Sequence, residues 1–182
     1  MKAFVQLMLS EGYEAVSVER VCADADVGRS TFYLHFGGKE AILRESLGGP
    51  SSQLAALINT DASAEALCPL LEHFHQQRKK NWVAFTHPVR DIWARRLAEL
   101  IEPTLTGRVR SIRARPILPP PIISLQIAET QLSLLATWLS RHPNTAAITI
   151  AEAMMSATQA LMAALLQRDQ RAIGLKRPSS SN

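Results

Sequence analysis

Cysteine is nearly absent. Cys22 and Cys68 are the only two in 182 residues, too few for a disulfide framework and without the paired spacing of a zinc site. A reducing, cytoplasmic setting is expected. Aromatic residues make up 5% of the chain, with two Tyr, and there are eight Gly beside a 47% apolar and 20% charged composition. That balance, rich in Leu and Ala, belongs to a globular and mostly α-helical protein. No strand alternation appears, and no repeat of about 20 to 50 residues. Met1 to Ser10 carries one Lys and an apolar run, but no small-residue cleavage site, and no apolar span of about 18 residues is read after it. Neither secretion nor a membrane partner is expected. A nucleophile paired with its base, a Gly-rich phosphate loop and a metal-ligand set are also missing. An enzyme is therefore not expected, nor a cofactor, nor a bound metal. His73 and His75 stand two apart, so they point to different sides of a helix and make a poor metal pair.

What is present begins with charge. The net charge is +4 and the pI about 9.4, which invites a nucleic-acid reading only if the cations lie in the right place. Residues 1 to 47 hold five Lys/Arg (Lys2, Arg20, Arg29, Lys39, Arg44) against seven acids, a net of −2. The surplus sits in residues 76 to 115, where ten Lys/Arg face only Asp91, Glu99 and Glu102, a net of +7. Bulk pI is thus no evidence for DNA binding. Arg78-Lys79-Lys80 and the basic run from Arg108 to Arg115 fit a solvated face, an entrance for an anionic ligand, or a second DNA-facing surface.

The spacing of apolar residues and breakers predicts the elements. Phe4, Leu7 and Met8 form one face of a helix from Met1 to Glu11, stopped by Gly12. Ser17 is a good N-cap for Val18 to Ala25, with Glu19 in the first turn. Asp26-Val27-Gly28 makes a turn, Arg29 to Phe36 a second short helix, and Lys39 to Leu47 a fourth, interrupted by Gly48-Gly49-Pro50. Beyond lie long amphipathic segments over 53–58, 64–85, 89–101, 122–141 and 145–167, with the prolines from Pro116 to Pro121 forming an extended loop. The domains expected are a helix-turn-helix unit over 1–47, a larger helical domain over 48–175, and a disordered tail over 176–182.

A two-turn helix, a tight turn and a second short helix hold a recognition helix out from its support and into a major groove. Seven or eight helical residues span about 10 to 12 Å, close to the groove's width. Val21, Ala25, Val27, Phe32 and Phe36 are the expected small core, and Asp26 tolerates a left-handed turn. No acid occurs between Val27 and Lys39. Arg29 can fork onto a guanine edge, Thr31 and Leu34 can meet bases, and Tyr33, His35 and Lys39 can hold phosphates.

These residues resemble the tetracycline-repressor (TetR) family: Glu11-Gly12-Tyr13, Ser17-Val18, Ser30 through Phe36, and Gly38-Lys39-Glu40-Ala41-Ile42-Leu43. The resemblance covers about the first 47 residues. It implies that Arg29, Ser30, Thr31 and Leu34 face bases, and that Ser17, Tyr33, His35 and Lys39 face the backbone. It further implies an all-α homodimer: an N-terminal helix-turn-helix domain that binds double-stranded operator DNA, and a divergent C-terminal domain that binds an effector and dimerises. The sequence departs from the pattern at Asp26, where a turn Gly is usual, at Gly28, where Ser is usual, and at Met1, which stands inside the family's first helix without its basic arm.

Phe74, Trp82, Phe85, Trp93 and Leu97, followed by Leu100, fall on the central helices where the family keeps its effector pocket, with core packing as the plainer role. An aromatic-lined cavity would take a hydrophobic or aromatic small molecule. On the last two helices Leu125, Leu132, Leu139, Met154, Leu161 and Leu165 stand beside small residues that permit close packing, as in a four-helix dimer interface; an intrasubunit pair would use the same faces. The function implied is a repressor released from a pseudopalindromic operator by a small-molecule effector. A DNA-binding regulator without an effector, constitutive or activating, is the alternative, and a helical enzyme with a vestigial DNA-binding segment is a weaker third reading.

Overall fold

The computed structural model describes residues 1–168; the proposed tail over 176–182 and the end of the proposed second domain lie outside them. Ten α-helices run through the described residues: α1 (Lys2–Glu11), α2 (Val18–Asp24), α3 (Arg29–His35), α4 (Lys39–Ser46), α5 (Gly48–Ala55), α6 (Ala64–Gln76), α7 (Arg78–Asn81), α8 (Val89–Ser111), α9 (Pro120–Arg141) and α10 (Ala147–Leu165). Two 3-10 turns, Ala56–Ile58 and Trp82–Phe85, prolong α5 and α7.

The first four helices follow the local signals. Phe4, Leu7 and Met8 are buried on α1, and Gly12 ends it with φ +86°, a conformation that costs glycine least. Ser17 caps α2 through its hydroxyl. α4 ends at Ser46, as the breakers predict, and Gly48-Gly49-Pro50 then opens α5 directly, because a proline in the first turn of a helix lacks an N–H that has no partner there anyway. Pro103 lies inside α8, which runs ten residues past the predicted end at Ile101. The backbone bond lost at Pro103 costs about 3 kcal/mol; full burial of Ile101 and Leu105 on either side offsets it at about 1.5 to 3 kcal/mol each. The predicted 64–85 helix is instead broken at Gln77, whose φ of −112° and ψ of 27° leave the helical region. The proline loop is also not wholly irregular: β1 (Ala114–Pro116) pairs antiparallel with β2 (Leu166–Arg168).

The larger domain is built on α8 and α9, which pack along each other; α5 lies against α8, and α10 against α6 and α9. Trp93, Leu97, Ile101, Leu105, Ile127, Leu132 and Leu135 are all fully buried there. Two predictions are corrected by this packing. Ala25 and Val27 are exposed, so the core beneath the recognition helix is Val21, Cys22 and Phe32 with Phe36 half-buried; the left-handed step at Asp26, φ +52°, swings the turn away from it. Leu132, Leu139 and Met154, expected at a dimer interface, are enclosed within the subunit at 0%, 4% and 1% exposure, since α8 and α6 already cover those faces. Leu125 reaches the surface, and Leu161 and Leu165 are half-buried. In α9 and α10 a window of 18 residues reaches a mean hydropathy of 1.2 and 1.3, with 50% and 28% of it buried, so by length and composition both helices are apolar enough to cross a membrane, contrary to the sequence reading. Their apolar residues serve the core of the helical domain, and on α10 an outward face is left uncovered.

The small domain joins the large one through α4 against α8 and α1 against α7. Arg44 of α4 pairs with Glu99 of α8, and Arg96 lies 3.7 Å from the same carboxylate.

Candidate nucleic-acid interface

Gly28, with extended backbone, starts α3, and Phe32 is the one buried residue of its seven. The Phe32 ring meets Tyr33 edge-on at 5.3 Å and Phe36 at 5.4 Å. One aromatic anchor thus holds the helix while Arg29, Ser30, Thr31, Tyr33, Leu34 and His35 all point into solvent. Leu34 is 81% exposed and Tyr33 56%. Their presentation side by side with hydroxyl and guanidinium donors suits a groove lined by base edges and thymine methyls.

The cations around this helix are occupied by the domain's own acids. Arg29 lies 2.8 Å from Glu19, and Arg20 lies 3.0 Å from Glu11 and 3.8 Å from Asp24. A hydrogen bond from its own backbone N–H, then the Arg29 guanidinium and the Ser17 hydroxyl, hold the Glu19 carboxyl below its usual range. Lys39 is turned inward: its Nζ donates to the Tyr13 carbonyl at 3.1 Å, stands 4.3 Å from the centre of the Tyr13 ring and 3.9 Å from the Glu14 carboxylate. It ties the start of α4 to the loop between α1 and α2. Burial, with Glu40 and Glu14 adding to it, raises the Tyr13 hydroxyl above its usual value. The Ser17 hydroxyl accepts the Arg20 N–H at 3.2 Å as a helix cap. So of the eight residues read as DNA-facing, six sit together on α3, Ser17 is a cap at the edge of α2, and Lys39 is a clip behind it.

In the larger domain Phe74, Phe85 and Trp93 form one cluster, with ring centres 5.5 to 6.1 Å apart and Phe74 stacked on Trp93. Leu97 is buried on the same helix as Trp93. Trp82 is separate in character, 42% exposed and touching the cluster only through Phe85 at 5.9 Å. The sequence reading missed the polar groups in this core. The Trp93 indole N–H donates to Ser51 Oγ at 3.1 Å, and Gln131 Nε2 donates to the Leu54 carbonyl at 3.3 Å and to Thr158 Oγ1 at 3.1 Å. Gln131 and Thr158 occupy apolar positions of the helical period, the one signal that marks them in advance. His75 is structural: it stacks on Trp138 at 5.3 Å and meets the Pro143 carbonyl at 2.7 Å. Among the described residues no His, Cys, Asp and Glu side chains gather into a metal-binding group.

Residues 1–46 match the profile of bacterial regulatory proteins of the tetR family. No curated protein sequence matches the chain. Among solved structures, a TetR transcriptional regulator from Streptococcus agalactiae 2603V is similar at 21% identity over 86% of this chain and 89% of that one, with a TM-score of 0.54. A TetR-family regulator from Syntrophomonas wolfei is similar at 19% identity over 88% and 91%, with a TM-score of 0.56. At these identities the likeness establishes a shared fold, while the profile match lies on the helix-turn-helix itself. Residues 1–46 thus carry the helix-turn-helix unit of bacterial tetR-family regulatory proteins, and the described chain shares the fold of two solved regulators of that kind.

Proposed function

We propose that the chain acts in the cytoplasm as a homodimeric repressor, bound to a pseudopalindromic operator and released from it by a small-molecule effector in the C-terminal domain. The observation that carries the DNA half is α3, which keeps one side chain for its own packing and turns six outward. Arg29, Ser30, Thr31 and Leu34 read bases in this proposal; Tyr33, His35 and Ser17 hold the backbone. Lys39 serves the interface from behind, by fixing α4 and so the end of α3.

Two readers on half-sites about one helical turn apart call for a dimer. The outer faces of α9 and α10 support one: Ile122 and Leu125 are 51% and 41% exposed, and Ala153, Ser156, Ala160 and Ala164 form an exposed strip of small side chains on α10. The Phe74, Phe85, Trp93 and Leu97 cluster, with Trp82 at its edge, is the proposed place for an effector. Such a ligand works only by binding the released arrangement more tightly than the DNA-bound one. The full burial of Trp93 and Leu97 favours a second reading, a regulator with no effector.

Selection of binding sequences from a random duplex pool tests the first half. Enrichment of a two-fold symmetric site is expected, and a pool that never converges refutes sequence-specific binding. Titrating the selected duplex with the protein, with and without candidate aromatic or hydrophobic compounds at fixed salt, decides between the effector and effector-free readings.

A further inference from the structure

We infer that the surface cavity between α7 and the C-terminal end of α9 is a binding site for an organic anion with a flat apolar body, of the aromatic carboxylate class. The cavity is a shallow, open groove of about 330 Å³ lined by Arg78, Lys79, Trp82, Leu139 and Ser140.

Three observations select the ligand. Trp82 is 42% exposed here, whereas Trp93 and Trp138 are 0% and 2% exposed; an indole face on a cavity wall is a stacking surface. Arg78 and Lys79 stand at the same cavity, and like Lys80, Lys2, Arg95, Arg108, Arg110, Arg113, Arg115 and Arg141 they take part in none of the ion pairs among the described residues, so no paired acid cancels their charge at the cavity. No acidic residue lines the cavity, so the local field selects anions, and a guanidinium recognises a carboxylate by a two-point hydrogen bond. Leu139, 4% exposed, closes only the floor of the groove. The Ser140 hydroxyl is engaged by the Ala136 carbonyl at 2.8 Å and adds little competing polarity. An inorganic anion alone would leave Trp82 and Leu139 unused, and a neutral ring would leave the two cations unused.

The site also has a path inward. Trp82 touches Phe85 at 5.9 Å and Phe85 touches Trp93 at 5.5 Å, while α7 packs on α1 of the DNA-binding domain. Any consequence at DNA rests on the effector reading proposed above; the binding itself does not.

Isothermal titration calorimetry of the full chain with 2-naphthoate, and with 2-naphthalenemethanol as its neutral counterpart, tests the inference. Saturable binding of the acid is expected, with the alcohol weaker by about tenfold or more and the Arg78→Gln/Lys79→Gln double variant losing about as much. The indole N–H resonance missing from Trp82→Phe should shift with the acid. Both variants alter exposed side chains, and an unchanged melting curve confirms their fold. Equal binding of acid and alcohol, wild-type affinity in the double variant, or a Trp82 resonance unmoved at millimolar acid overturns the site. Binding as expected with unchanged operator affinity keeps the site and removes this ligand class as the effector. Operator release by another compound that persists undiminished in the double variant keeps the effector reading and places that effector elsewhere.

Discussion

Two helices treat their large side chains in opposite ways. In the helical body α8 hides even Trp93, while in the small head α3 leaves Leu34 and Tyr33 in water and buries Phe32 alone. The body gains from every apolar group it covers, at about 25 cal/mol per Å²; the head gives up that gain on α3. Charge does not follow that contrast. The head's cations near α3 are answered by its own acids, Arg29 by Glu19 and Lys39 by Glu14 and the Tyr13 carbonyl, and in the body Arg90 and Arg96 likewise meet Glu129 and Glu99, while Arg78 and Lys79 take part in none of the ion pairs among the described residues. A regulator whose reading head is acidic overall depends on specific contacts more than on bulk attraction to phosphate.

Four substitutions test these differences. Trp93→Ala should have the largest effect, removing about 3 to 5 kcal/mol from the body through an aromatic cavity and an orphaned Ser51 hydroxyl; urea unfolding reads it, and a loss confined to a few tenths would mean the cluster is not core. Arg29→Ala should weaken operator binding by about 1 to 3 kcal/mol and relax preference at the base it meets, read by anisotropy against the selected site and a scrambled duplex. Lys39→Met should lower the stability of the head by about 1 to 2 kcal/mol, the worth of a hydrogen bond from a charged donor, and should leave the slope of log affinity against log salt unchanged; a slope smaller by about 0.9 would instead reveal a phosphate contact. Glu19→Gln should have the smallest effect, tightening binding about threefold at low salt by freeing Arg29 and removing a like charge near DNA, with a larger gain on the operator, where Arg29 meets a base, than on the scrambled duplex.

Much of the head was legible in its sequence. The Ser17 cap, the left-handed Asp26, the Gly12 stop and the Phe4, Leu7, Met8 face are set within one or two helical turns, so neighbours along the chain suffice to read them. The same holds for α3, where a single buried aromatic within a run of donors announces a helix with an unburied purpose. The body was legible in class but not in detail. A proline inside a helix has a local cost, yet at Pro103 the burial that offsets it comes from helices dozens of residues away. Leu132, Leu139 and Met154 have the same period as an interface, and only the packing of α8 and α6 against them decides that they face inward.

Lys39 draws the line most clearly. Its position after Gly38 and before Glu40 announces the start of a helix beside a DNA-reading one, and an ammonium there suits a phosphate. What turns it inward is Tyr13, 26 residues earlier in the chain, whose carbonyl and ring come within reach only when α1 and α4 pack together. Periodicity, caps and turn residues act over a few residues and so can be read from order alone: they established the helix class, the reader and its exposed row. Which face each helix covers, which breaker is overridden and which cation is left free depend on partners distant in sequence, and folding alone chose them.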